Sequence, residues 1–178
     1  MTVGMRHSVS LLAMAVASGM SSAVLANADV LRLQKDPANV VMPNITYNGW
    51  NYSELNQITV ANVKNLQVAW TWQIGILDSH EASPLVIGDT MYIVSPKPNY
   101  VYALDLAKEG VIKWEFRPDM NVEEATRQGC CGAQTRGLNY AEGKIFFNTL
   151  DGQFFGLDAA TGEALWRTVG ADLSIGET

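Results

Sequence analysis

Leu157-Asp158-Ala159-Ala160-Thr161-Gly162-Glu163-Ala164-Leu165-Trp166 decides the fold, because a degenerate copy of it stands earlier as Ala103-Leu104-Asp105, Gly110 and Trp114. In both copies an apolar run ends on Asp, a glycine closes a tight turn, and a second β-rich run carries a tryptophan. Gly162 suits that turn because glycine accepts positive φ without steric cost. Ala69-Trp70 extends the series, so the tryptophans recur at 70, 114 and 166, with spacings of 44 and 52 residues.

Around these tags the chain divides into units of four short β-rich runs separated by Gly, Asp, Asn or Pro. One unit runs Ser83 to Gly88, Thr90 to Ser95, Tyr100 to Asp105 and Val111 to Arg117. The next runs Gly137 to Ala141, Lys144 to Thr149, Gln153 to Asp158 and Glu163 to Thr168, while Leu66 to Trp72 ends a preceding unit. Four strands per tryptophan-tagged repeat predict an all-β fold, a β-propeller whose tryptophans pack blade against blade; a sandwich would not repeat the tag. Two blades and part of a third cannot close a ring. The chain is therefore expected to hold the first blades of a longer protein, with residues 66–178 forming those blades.

The segment before them reads differently. Arg6 and His7, the apolar run Val9 to Ala17 and the small residues Ala26-Asn27-Ala28 have the form of a secretory signal peptide over residues 1–28, cleaved near Ala28. The apolar run is too short to span a bilayer, so no stable membrane insertion is expected. Residues 29–65, with Pro37 and Pro43, read as an irregular N-terminal arm with at most one short helix near Thr59 to Asn65. The formal net charge is −6, and removal of a leader carrying Arg6 makes the mature chain more negative still, which disfavours nucleic acid as a partner. His80-Glu81 lacks the second histidine of a zinc-protease motif, since Pro84 stands at that position, and a single His in the mature chain leaves no cluster of metal ligands.

The two cysteines, Cys130 and Cys131, are adjacent in Gln128-Gly129-Cys130-Cys131-Gly132-Ala133-Gln134-Thr135-Arg136-Gly137. By themselves they read first as two unrelated thiols or a hydrophobic pair in a turn, and otherwise as a strained ring disulfide; export makes the disulfide chemically reasonable. Superposing Gly88-Asp89-Thr90-Met91-Tyr92 on Glu142-Gly143-Lys144-Ile145-Phe146 sets Glu81 opposite Thr135, one residue from Arg136. Glu81 and Arg136 then occupy the same loop in successive blades, at one end of the central channel.

Cys-Cys-Gly-x-x-x-Arg-Gly, preceded by His80-Glu81-Ala82-Ser83-Pro84 and followed by the tryptophan-tagged turn, resembles the quinoprotein alcohol dehydrogenases that use pyrroloquinoline quinone (PQQ). Leu55-Asn56-Gln57-Ile58 and Asn62-Val63-Lys64-Asn65-Leu66 extend the resemblance over most of the mature chain. It implies an eight-bladed propeller with tryptophan-docking blades, a disulfide between Cys130 and Cys131 lying against one face of the quinone, Glu81 bonded to the quinone in its plane, and Arg136 near its reactive oxygens. A guanidinium suits that role, since it is planar and permanently charged and PQQ is a planar tricarboxylate.

The resemblance further implies a periplasmic enzyme oxidising primary alcohols to aldehydes by hydride transfer to PQQ, with calcium or a lanthanide as Lewis acid and a cytochrome c as electron acceptor. The base, an Asp, and the metal ligands are expected downstream of Thr178, so these residues alone are expected to be inactive. A homodimer or association with a small subunit is left open. The alternative is a non-catalytic propeller, an outer-membrane assembly scaffold or a carbohydrate-binding module, which would need neither quinone nor cysteine pair.

Overall fold

The computed structural model describes residues 27–128, 132, 134–175 and 177. The repeats form two four-stranded antiparallel sheets, each a meander in sequence order. The first blade is β1 (Leu85–Ile87), β2 (Thr90–Val94), β3 (Val101–Asp105) and β4 (Val111–Phe116). The second is β5 (Asn139–Ala141), β6 (Lys144–Asn148), β7 (Gln153–Asp158) and β8 (Ala164–Val169). Every strand begins and ends within two residues of its expected limit.

Strand position sets side-chain character. All five residues of β3 are buried, which explains its nearly unbroken Val-Tyr-Ala-Leu sequence: a mid-blade strand covered on both faces does not alternate. Strand β8 is exposed throughout. A single apolar cluster runs through both sheets, joining Leu85, Val94 and Val101 to Ile145, Phe147 and Leu157. Phe116 reaches from β4 to meet Phe147 and Phe155 edge-on, with centroids 6.0 and 5.3 Å away.

Trp114 makes the main joint between the blades. Its Nε1 donates to the Ala159 carbonyl at 3.0 Å, and a Cβ built on Gly162 would lie 2.5 Å from the indole. Glycine is thus required at 162 twice over, for its φ of +76° and for the face of the tryptophan. The Tyr92 hydroxyl donates to the same carbonyl at 3.0 Å, and burial pushes this phenol up to about 12. Trp70 lies on Gly110 in the equivalent way. Each blade carries a register shift just before its tryptophan: Ala103 pairs with Trp114 and Leu104 with Ile112, and Gly156 pairs with Trp166 and Leu157 with Ala164. Lys113 and Leu165 are therefore the extra residues of two equivalent bulges, a device that twists a strand and re-aims its side chains.

Three features differ from expectation. Leu66 to Trp72 is extended but joins no ladder among the described residues. From 70 to 77 half-buried residues alternate with exposed ones, and Trp72 meets Tyr102 edge-on at 5.0 Å, so the stretch has a strand's pleat without a hydrogen-bonded neighbour. The arm is also more ordered than an irregular segment: Asn27 caps α1 (Ala28–Leu33) by accepting from the N–H groups of Asp29 and Val30, and Val40 bridges Val86 of β1. A 3₁₀ turn at Val63–Asn65 occupies the expected helical position. Finally, α2 (Val122–Gln128) fills the crossover from β4 to β5 and accounts for the longer second tryptophan spacing. No described helix is long and apolar enough to cross a membrane.

Gly162→Ala should lower unfolding free energy by about 2 kcal/mol or more in urea titrations, from backbone strain plus displacement of the indole. The acid limb offers a second check. Asp158 accepts from the N–H groups of Thr161 and Ala160, which hold its carboxyl below the usual range. Its contribution is fully present above the unfolded value of about 3.9 and is lost as pH falls through the lower folded value. Between about pH 5 and about pH 2.5 the urea midpoint of wild type should fall more steeply than that of Asp158→Asn.

Candidate functional site

In an up-and-down blade the crossovers into β1 and β5 lie at the same end as the β2–β3 and β6–β7 turns, and the remaining turns lie at the other. Glu81 and Arg136 sit in those two crossovers, and the structure brings them together: Arg136 Nη1 donates to Glu81 Oε2 at 2.5 Å. The crossovers are joined directly by a parallel bridge between Ser83 and Gly137. That bridge has the same register as the repeat superposition.

Each charged side chain is presented from an anchored backbone. Ala82 beside Glu81 is 7% exposed, Thr135 beside Arg136 is 6%, and Leu138 is 1%. His80 Nε2 lies 3.0 Å from the Val94 carbonyl and ties the first crossover to β2. By contrast the Arg136 side chain is 84% exposed and that of Glu81 is 44%. An ion pair this open adds little to stability, about 1 kcal/mol at most. Nearby, Gln134 Oε1 is buried and has no donor among the described residues, an acceptor of the kind that a bound polar group satisfies.

Cys130 and Cys131 lie outside the described residues. After β8 the chain forms a 3₁₀ turn at Leu173–Ile175 that packs against α2. Among the described residues no group of three or more His, Cys, Asp or Glu could hold a metal ion.

Sequence reasoning missed the contact that ties the start of α2 to the β6–β7 turn. Asn121 Oδ1 accepts from the Glu124 N–H at 3.0 Å and caps α2, and Asp151 in the β6–β7 turn accepts from the Asn121 N–H at 2.8 Å. Asn121-x-x-Glu124 is a capping-box pattern and could have announced the helix. Nothing in the spacing announced the partner thirty residues on.

Residues 43–170 match the family described as PQQ: glucose/ethanol/alcohol dehydrogenase, β-propeller domain. The lanthanide-dependent methanol dehydrogenase of Methylacidiphilum fumariolicum is 48% identical over 90% of this chain and 26% of its own length. Methanol dehydrogenase [cytochrome c] subunit 1 of Paracoccus denitrificans is 42% identical over 94% of this chain and 28% of its own. Among solved structures, a europium-containing methanol dehydrogenase superposes with a TM-score of 0.78 at 48% identity, covering 82% of this chain and 25% of that one. The chain thus spans about a quarter of the length of the curated relatives it matches. On this match, on the repeated blades and on the paired crossovers, the chain belongs to the PQQ-dependent glucose/ethanol/alcohol dehydrogenase β-propeller family.

Proposed function

We propose that this chain forms the first blades of a periplasmic quinoprotein alcohol dehydrogenase, and that the blade end carrying Glu81 and Arg136 is one wall of its PQQ site. The observation that carries the reading is the ion pair joining equivalent crossovers of successive blades, solvent-open on an otherwise anchored backbone. The polar groups fit the cofactor: a planar cation for carboxylate and carbonyl oxygens, a carboxylate acceptor, and the buried Oε1 of Gln134, which has no donor among the described residues. When bound, PQQ would supply hydride acceptance from a primary alcohol, assisted by calcium or a lanthanide as Lewis acid, with a cytochrome c taking the electrons. The relatives named for lanthanide dependence and for cytochrome c support both choices.

Within that site Arg136 binds and orients. Its guanidinium supplies positive charge against oxygens that gain negative charge on reduction, and Glu81 takes one of its N–H groups on Oε2 while Oε1 offers a further acceptor. Cys130 and Cys131, as an adjacent disulfide, would provide a flat platform rather than a staple, because so small a ring constrains the unfolded chain little. The base and the metal ligands belong to residues outside this chain. So does the rest of the ring: Trp70 sits on Gly110 as Trp114 sits on Gly162, and residues 70–77 keep a strand's pleat, which supports 66–76 as the outer strand of a further blade.

Residues 1–28 would be an export signal and residues 29–65 an arm against the first blade. Amino-terminal sequencing of the exported protein should find the new terminus near Asp29, just after Ala26-Asn27-Ala28.

The full-length protein should purify with quinone absorbance, or take up PQQ in the presence of metal, and should oxidise a primary alcohol with an artificial dye as acceptor. Glu81→Gln and Arg136→Ala should each weaken PQQ binding about tenfold or more while shifting unfolding free energy by under about 1 kcal/mol. Replacing both cysteines should lower quinone retention more than melting temperature. Full-length protein that binds no PQQ when offered it with metal would overturn the reading and favour a non-catalytic propeller.

A further inference from the structure

We propose that the start of the arm, residues 29–41, is a plug for the central channel: it lies on the channel-side edges of the first strands of both blades and closes the end opposite Glu81 and Arg136. The cofactor site then opens at one mouth only. What the site holds rests on the quinone reading above, whereas the plug is a property of the chain itself.

Strands β1 and β5 are the inner strands. Blades arranged around an axis converge at their inner strands, and these two come within backbone reach just ahead of β1 and β5, where Ser83 bridges Gly137 in parallel. Within its sheet each of the two pairs with one neighbour, β2 or β6, and so leaves its other edge to the channel. Such an edge presents N–H and C=O groups that need partners.

The arm supplies them on the first blade. The Val40 N–H donates to the Val86 carbonyl at 2.8 Å, and the Val86 N–H donates back to the Val40 carbonyl at 2.9 Å, an antiparallel pair in the middle of β1. Beside it Asn39 Oδ1 accepts from the Gly88 N–H at 2.8 Å, while its Nδ2 donates to the Leu33 carbonyl at the end of α1 at 3.0 Å. One amide side chain thus fastens the helix, the strand pair and the β1–β2 turn together. Asn39 is 6% exposed and Val41 1%, so water is excluded from this joint.

The same segment reaches the second blade. Helix α1 packs against β5, with Val30 2% exposed beneath it. Burial raises the phenol of Tyr140 in β5, and the Asp29 carboxylate facing it adds to the rise. A segment that merely braced two blades could lie along their outer strands; this one takes the inner edges, where it also blocks passage.

The plug and the ion pair are set apart along the axis. Gly88 and Tyr140 adjoin the β1–β2 and β5–β6 turns, whereas Glu81 and Arg136 precede the same two strands. Residues 83 to 88 alone span about 16 Å at the rise of a strand. A channel open at both ends would admit water behind a bound quinone, and a closed floor removes that route.

The test uses the full-length protein with Asn39→Ala, which loses both side-chain bonds, and separately with Val40→Pro, which loses the N–H donated to Val86. In the protein free of PQQ, amide hydrogen exchange at Val86 and Gly88 should accelerate about tenfold or more, while β2, β3, β6 and β7 keep wild-type protection. In protein loaded with PQQ and calcium, methylhydrazine, a small reagent that condenses with the quinone carbonyl, should react severalfold faster than with wild type. Faster exchange with an unchanged methylhydrazine rate would reduce the arm to a brace and overturn the plug. Wild-type exchange in both variants would overturn it too, as would loss of protection throughout both blades in both, which would make the arm a folding element. Wild type that takes up no PQQ would overturn the functional reading instead, and exchange at Val86 and Gly88 would still decide whether the arm covers these edges.

Discussion

The contact on which the rest depends is the indole of Trp114 laid over Gly162, with Nε1 and the Tyr92 hydroxyl both donating to the Ala159 carbonyl. A four-stranded sheet with apolar faces is unstable in isolation, and this contact sets how the next sheet covers it. Dispersion from a large flat ring requires close approach, which is why the facing residue has no side chain. The two hydrogen bonds add direction, so the sheets meet in one orientation. The apolar cluster joining Leu85, Val101, Ile145 and Leu157 can close only once that orientation is set.

From the joint follows the geometry of the loop end. Because the blades are antiparallel meanders docked side by side, their equivalent crossovers arrive next to each other, and Ser83 bridges Gly137. The Glu81–Arg136 pair is a consequence of blade docking, made by two short loops anchored on buried neighbours. The β2–β3 and β6–β7 turns end on the same side, which is how Asn99 and Asp151 come to support a crossover that neither belongs to. The charged pair at this end rests on inter-blade contacts buried well beneath it.

Much of this was legible in the chain. Gly, Asp and Pro punctuation gave the strands of both blades to within two residues, because turn chemistry is local and each strand is short. Glu81 and Arg136 could be paired because the repeats superpose, which turns a distance along the sequence into an equivalence in space. Other features resisted reading. The segment around Trp70 looked like a strand and has the pleat of one, yet strand status requires a hydrogen-bonding neighbour that no local pattern supplies. Helix α1 is under two turns long and rests on the Asn27 cap and buried Val30, too short a periodic signal to stand out. The bulges at Lys113 and Leu165 leave no composition mark, since any residue can be the extra one.

The sequence by itself determined the blade repeat, the turns, the tryptophans at the joints and the identity of the charged pair, all of which depend on short-range periodicity and side-chain chemistry. Tertiary structure alone decided that Arg136 meets Glu81 at 2.5 Å and that Asp151 reaches Asn121. Those distances are set by how two sheets dock and how a long crossover folds back onto a turn. The physical reason is that a hydrogen bond between residues tens of positions apart is fixed by the packing of everything between them, and not by any preference carried in either residue.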